Sequence, residues 1–350
     1  MVDSILTETE VIDTSEQEDA DISNSTYQIT SYGIDFTVDG LVNRLQRGDI
    51  YVPEFQRKYV WTTAQASKFV ESLLLGLPVP GIFLSKDGER RLIVIDGHQR
   101  LMTLKNFYTE SFALKGVAKQ FEGRTYATLA DFSRRTLDDS ILHATVVQQM
   151  EPENDDSSIY HIFERLNSGG TRLQPQEIRS GLYFGKFKDL IIELNDYPIW
   201  RELYGKPSIR AKDQELVLRF FALYFDRYTY SQPLDEFLNR FMMKHRNPDG
   251  QTLQRFRELF TRTIDFIYGC LHWEAFRPEG QLNAAVYDAV MIGIATALEE
   301  HGHDELDCDD IQQQHHALLQ KNDFKSAFKA STTDADKVAS RIDLAIAAFS

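Results

Sequence analysis

The stretch Arg91-Leu92-Ile93-Val94-Ile95-Asp96-Gly97-His98-Gln99-Arg100-Leu101-Met102-Thr103-Leu104 decides how the first half of the chain folds. Four consecutive apolar residues, three of them β-branched, predict a short buried strand over residues 92–95. Asp96-Gly97 breaks it, and the spacing of Leu101, Leu104 and Phe107 predicts a helix from His98 onward. A strand that runs through a glycine turn into a helix leaves backbone N–H groups unpaired at the helix start. Those groups, with the positive end of the helix dipole, attract anions and phosphates in particular. An acid, an imidazole, an amide and a guanidinium fall within five residues here: Asp96, His98, Gln99 and Arg100. Asp96 alone would read as a helix N-cap and Arg100 alone as a solvated charge. Gathered on one turn, they point to a functional site.

Working outward, residues 82–85 predict a strand that a turn at 86–89 returns as a hairpin into 92–95. Thr62 or Thr63 caps a predicted helix through Phe69, Val70, Leu73 and Leu74 to Gly76. Before it, residues 50–61 form an extended segment dense in aromatics and bases, which Pro53 keeps from being a regular helix. Residues 38–47 predict a short helix, and order is expected from about Tyr27. Downstream, 121–125 and 143–148 are strand candidates and 151–157 is an acidic loop. A helix over 159–166 stops at Asn167-Ser168-Gly169-Gly170, and another starts near Gln176. From about Gly181 apolar residues recur at three- and four-residue spacing over 213–228, 234–245, 253–268, 283–300, 312–322 and 334–349, predicting helices throughout. The expected architecture is α+β first and all-α second: an acidic, disordered lead over 1–26, a mixed domain over 27–182 and a helical domain over 183–350.

Composition bounds the function. A hydrophobic content of 42% with 12% aromatics supports a sizeable core, and no stretch is long and apolar enough for a membrane span. No basic region followed by an apolar one opens the chain, so a secretory signal is not expected. The two cysteines, Cys270 and Cys308, lack CxxC or metal-ligand spacing, which fits a reducing cytoplasm and argues against a disulfide framework or a zinc site. The net charge of −15 is uneven: residues 1–43 carry ten acids and no Lys or Arg. That lead reads as a solubilising tail, with the covering of a basic site as the sharper alternative. Residues 44–105 hold ten Lys or Arg against six acids, and residues 165–188 hold five against one. These two basic islands enclose the candidate motifs.

Other chemistries fail on spacing. Gly181 to Lys186 lacks the length and the Ser/Thr of a phosphate-binding P-loop, and neither GxGxxG nor HExxH occurs. His301, His303, His315 and His316 read as exposed, solvated histidines. Asp323-Phe324-Lys325 has the spacing found in some nucleases but nothing near it completes such a site.

Three motifs occur in order: Val52-Pro-Glu-Phe-Gln56-Arg57-Lys-Tyr-Val-Trp61, Asp96-Gly97-His98-Gln99-Arg100, and Phe163-Glu164-Arg-Leu-Asn167-Ser-Gly-Gly170-Thr171. Together they resemble the N-terminal domain of GmrSD-type restriction systems, a ParB/sulfiredoxin-like fold with a DGQQR-type motif, in which His98 replaces the first Gln. The resemblance implies a nucleoside triphosphate site and hydrolysis coupled to defence against phage or foreign DNA. It places Asp96, His98 and Arg100 in catalysis and Gln56, Arg57, Gly97, Gln99, Asn167, Gly170 and Thr171 around the nucleotide. Mg2+ would assist, with Asp96 or Glu164 as its carboxylate. Leu166 stands where ParB-like proteins carry an acid before the Asn, so metal binding there departs from the family pattern. Such restriction proteins usually add a His-Me-finger nuclease domain. No such motif is seen after residue 182, so cleavage is expected from a partner or not at all.

The expectation is thus a cytoplasmic, NTP-hydrolysing sensor or regulatory subunit that meets DNA and a nuclease or other defence partner. A non-enzymatic DNA-binding or adaptor module using the same basic face is the alternative, and a self-sufficient nuclease the third reading. Oligomeric state is not encoded in any pattern of the sequence.

Overall fold

The computed structural model describes residues 11–13, 28–53, 59–86, 91–151, 160, 162, 174–302 and 305–350. The chain divides into two bodies, residues 26–173 and residues 1–25 with 174–350.

The chain's first element is β1 (Val11–Ile12), which belongs to the second body. The first body follows as β2 (Gln28–Thr37), α1 (Val38–Arg47), β3 (Ile50–Tyr51), α2 (Thr63–Leu74), β4 (Ile82–Lys86), β5 (Leu92–Asp96), α3 (His98–Tyr108), α4 (Asp131–Asp138) and β6 (Ile141–Glu151). Its five strands form one mixed sheet in the order β2-β6-β4-β5-β3. β4 and β5 pair antiparallel, as the hairpin pattern predicts, while β4 runs parallel to β6 and β3 parallel to β5.

One sheet face carries Ile82, Leu84, Leu92, Val94, Leu142, Ala144 and Val146, and α1, α2 and α3 close over it with Leu41, Val42, Phe69, Val70, Leu101, Leu104 and Phe107. Each helix presents its apolar residues at three- and four-residue spacing, so the core forms from faces that cannot be satisfied singly. Burying one such side chain is worth about 1.5–3 kcal/mol. Thr62, one of the two residues expected to cap α2, is its N-cap. Thr62 and Gln65 form a reciprocal capping box on α2, and Thr37 accepts from Gly40 N at the start of α1. At the far end of α3, Tyr108 and Tyr126 stack and both donate to Asp138 Oδ1, at 2.6 and 2.9 Å. Burial and that carboxylate raise both phenols, Tyr126 to about 12.

Two expectations change here. Residues 121–125 form turns rather than a strand, because the Phe121 ring joins the hydrophobic core while the backbone turns on itself through Arg124 N to Phe121 O. β2 is a full ten-residue strand with no matching expectation in sequence, since Gly33 and its polar alternation mask it. Most of the helix expected over 159–166 lies outside the described residues.

The second body is helical: α5 (Pro175–Leu182), α6 (Lys186–Asn195), α7 (Pro198–Tyr204), α8 (Lys212–Asp226), α9 (Leu234–Lys244), α10 (Gly250–Leu271), then β7 (Leu282–Asn283), α11 (Ala284–His301), α12 (Cys308–Gln320), α13 (Asn322–Lys329) and α14 (Ala335–Phe349). The largely apolar α11 is buried on nearly every side from Ala284 to Ala295, and its last turn, Glu299 to His301, is exposed. Gly293 lets α14 approach it, since a Cβ there would fall 2.9 Å from the Ala345 carbonyl carbon.

A chain of buried charges runs through this body. Asp288 accepts from both Arg219 and Arg341, and Arg179 donates to Glu215, Asp235, Asn239 and Gln176. The acidic lead enters it: β1 pairs parallel with β7, and the Asp13 carboxylate reaches Arg219 at 3.1 Å and Lys212 at 3.5 Å.

Two further readings are corrected. Cys270 and Cys308 form a disulfide, because the end of α10 and the start of α12 bring their Cα atoms to 4.9 Å, a proximity that spacing in sequence does not reveal. His315 is buried, with Nε2 3.0 Å from the Ala275 carbonyl, and burial lowers its basicity. Its neighbour His316 is exposed as expected.

Asp288→Ala leaves two buried guanidinium groups without their shared carboxylate and is expected to cost about 3–5 kcal/mol, read from the denaturant midpoint. A wild-type midpoint would contradict the charge chain. The disulfide closes a 38-residue separation, a loop whose chain-entropy contribution is about 4 kcal/mol. Reductant is therefore expected to lower the melting temperature of the wild type and leave a Cys270→Ser, Cys308→Ser double variant unchanged.

Candidate functional site

The turn between β5 and α3 is built around a glycine that no other residue can replace without strain. Gly97 is the N-cap of α3 with φ 102°. A Cβ on it would lie 2.4 Å from Ile82 Cγ2, so the position demands both the left-handed conformation and the missing side chain. Gly97 supplies no side-chain cap to α3, so Asp96 does not serve as its N-cap. Asp96 Oδ2 pairs with Arg100 Nη2 at 2.7 Å, one helical turn on. The helix thus begins on a glycine that supplies no side-chain cap, at one end of the sheet.

Arg100 is less open than its place in the motif implies. Its Nη1 donates to the carbonyls of Pro80 at 2.8 Å and Gly81 at 2.5 Å, and its side chain is only 14% exposed. With the bond to Asp96, three of its five N–H donors are held by the protein. Arg100 therefore stitches the start of α3 to the loop entering β4. Asp96 remains 47% exposed and presents its carboxylate at the mouth of the turn.

His98 is the first residue of α3 and half-buried. Desolvation lowers its pKa from the ordinary imidazole value, so at neutral pH it is uncharged and contributes hydrogen bonds rather than charge. Gln99 points the other way. Its Oε1 accepts from the backbone N–H groups of Val60 at 3.0 Å and Trp61 at 3.2 Å, while Tyr59 OH meets Thr103 Oγ1 at 2.9 Å. Gln99 is thus a clamp on the segment before α2.

The structure brings Asp96, Gly97, His98 and Arg100 together as the motif requires and turns Gln99 to this structural task. Gln56, Arg57, Glu164, Asn167, Gly170 and Thr171 lie outside the described residues. Among the described residues no group of three or more His, Cys, Asp or Glu is placed to hold a metal ion. Asp96 is the carboxylate beside the open helix start.

Spacing in sequence gives no sign of a further pair at this end of the sheet. Asp35 and His143, 108 residues apart, bond at 2.7 Å. The clue available was the alternation of residues 143–148, which puts His143 on the face away from the core.

Comparison with known proteins agrees with the family resemblance. Residues 38–184 match the family described as GmrSD restriction endonuclease, N-terminal domain. The uncharacterized protein MJ0686 of Methanocaldococcus jannaschii is 27% identical over 125 residues, a match covering 28% of this chain and 20% of that protein. The similarity therefore spans about one fifth of the length of that curated relative.

Gly97→Ala is expected to be among the costliest small substitutions in this body. It adds the left-handed penalty, about 1–2 kcal/mol, to a collision with Ile82. Gly116→Ala, at φ 72° with open space around it, should carry the backbone strain alone. Equal melting temperatures for the two variants would show that the Ile82 contact does not constrain the turn.

Proposed function

Since residues 38–184 carry a GmrSD restriction endonuclease N-terminal domain, we propose that this protein binds and hydrolyses a nucleoside triphosphate as a sensor or regulatory subunit of a DNA-restriction or anti-phage defence system. The observation that carries the reading is the open start of α3 on Gly97, with the Asp96 carboxylate and the His98 imidazole beside it. The N–H groups of a helix start and the helix dipole favour an anion. A glycine at its head lets a phosphate approach the backbone closely. Arg100 holds the turn and its neighbouring loop in register. Gln56, Arg57, Asn167, Gly170 and Thr171 belong to the same site on the motif reading.

Hydrolysis of a triphosphate depends chiefly on positioning and on stabilising charge at the transferred phosphoryl group. The helix start and Arg100 supply the fixed positive field, and the neutral His98 supplies a hydrogen bond without competing for protons. Mg2+ would arrive with the nucleotide, and Asp96 is the residue that would meet it. A divalent ion there would neutralise phosphate charge. The protein acts in the cytoplasm on this reading, with DNA and a nuclease or other defence protein as its partners. Among the described residues no helix is long and apolar enough to cross a membrane.

The test is a titration of the full-length protein with ATP, GTP and CTP in Mg2+, following binding and phosphate release, beside Asp96→Ala and Arg100→Ala. Binding and release by the wild type, with each lost at least ten-fold in Arg100→Ala and release lost in Asp96→Ala, is the expected result. Wild-type behaviour of both variants would overturn the site. The basic island over residues 44–105 favours one second reading, an adaptor that holds DNA backbone phosphates. Its mark is nucleotide-independent DNA affinity that falls steeply with salt.

A further inference from the structure

Residues 11–13 sit in the helical body as a short extended segment. β1 pairs parallel with β7 in the register Val11 to Leu282 and Ile12 to Asn283, so the backbone is held by a two-residue ladder. Asp13 follows with its side chain only 5% exposed, its carboxylate 3.1 Å from Arg219 Nη1 and 3.5 Å from Lys212 Nζ. An edge that holds an extended segment through its backbone, with a specific place for a side chain beside it, is the pattern of recognition by β-strand addition.

Charge explains why an acid stands at position 13. Among the described residues the linked charged groups are Arg179, Lys212, Arg219 and Arg341 against Glu215, Asp235, Asp288 and Asp13. Four bases meet four acids because residue 13 brings one in from the lead; without it the set carries one positive charge in excess. Arg219 is also held by two bonds to Asp288, so its guanidinium is fixed in place independently of the lead. A cation set in advance in a buried position favours a carboxylate over any neutral group.

The lead fills its place incompletely. A cavity of about 260 Å3 lies beside Ile12 and Asp13, lined also by Glu279, Asn283, Phe328 and Lys329, and Ile12 is itself 36% exposed. Glu279 and Lys329 form an ion pair at 2.6 Å with both side chains more than half exposed, which gives the cavity a polar rim. The atoms lining such a gap lack contacts on one side, and a larger side chain would supply them.

We propose that the edge of β7, with Arg219 and Lys212 at its end, is a docking groove for an extended segment of a partner protein that carries two apolar residues followed by a carboxylate. Residues 11–13 occupy this groove in cis as a competing strap. The partner's acid takes the place of Asp13 on Arg219, and an aromatic side chain in the place of Ile12 fills the cavity. The strap acts at the raised effective concentration of a tethered segment, so it excludes weak ligands and yields to one that fits better. The groove lies in the helical body and does not depend on the nucleotide reading of the first body.

The full-length protein carries the test, titrated with fluorescein-labelled peptides that span residues 8–16 of this sequence. Asp13→Asn in the protein weakens the strap and is expected to raise affinity for the unaltered peptide about ten-fold or more over the wild type. On that variant, a peptide carrying Asp13→Asn should bind about ten-fold more weakly or worse, and one carrying Ile12→Phe should bind more tightly. Ile12→Gly in the protein weakens the strap through the ladder rather than the charge, and should show the same gain even where the Asp13→Asn protein does not fold. No peptide binding by either variant, or binding indifferent to the peptide's acid, would overturn the groove. Equal affinity in the variants and the wild type would overturn the strap. A concentration-dependent dimer that the peptide dissolves would give the groove to the lead of a second copy and overturn the partner protein as its occupant.

Discussion

The first body depends on a side chain that is absent. Ile82 Cγ2 occupies the space where a Cβ of residue 97 would sit, and the backbone there is left-handed. Only glycine satisfies both conditions, and that single residue turns β5 directly into α3. Everything at the site follows from it. The helix starts without a side-chain cap, Asp96 is released from capping to pair with Arg100, and Arg100 can reach the carbonyls of Pro80 and Gly81. The close backbone approach is a packing feature: it lets Ile82 sit against the turn with no side chain between them.

The mixed sheet decides what else can stand beside that turn. Because β4 runs parallel to β6 and antiparallel to β5, the end of β5 and the starts of β4 and β6 fall at the same edge. A strand order that follows the sequence would have set β6 elsewhere. As folded, Asp35 and His143 stand on the second face while the first is sealed by three helices.

The helical body solves a different problem. Arg179, Arg219 and Arg341 are fully buried, a costly arrangement unless every charge finds a hydrogen-bonded partner. Glu215, Asp235 and Asp288 supply most of the balance, and Asp13 supplies the rest from a two-residue strand on β7. Composition marks the lead as acidic and solvated. The need to neutralise Arg219 and Lys212 is what gives one short part of it a fixed place.

Much of the fold was legible in the sequence where a local pattern carried it. The strand before Asp96, the helix from His98, the capping box at Thr62 and the helices after residue 181 all rest on periodicity and caps that span a few residues. The site motif was legible for the same reason: Asp96, Gly97, His98 and Arg100 are neighbours along the chain. Contacts between distant residues had no such local signal. Gln99 became a clamp on Val60 and Trp61, His315 a buried donor to the Ala275 carbonyl, and Cys270 a partner of Cys308 only once helices had packed. Asp35 met His143 only once β2 had paired with β6. The sequence by itself determined the elements and the glycine turn after β5, because propensity, glycine geometry and apolar spacing act over one or two turns of chain. Tertiary structure alone decided which polar groups share a face, because strand order and helix packing join residues that no spacing relates.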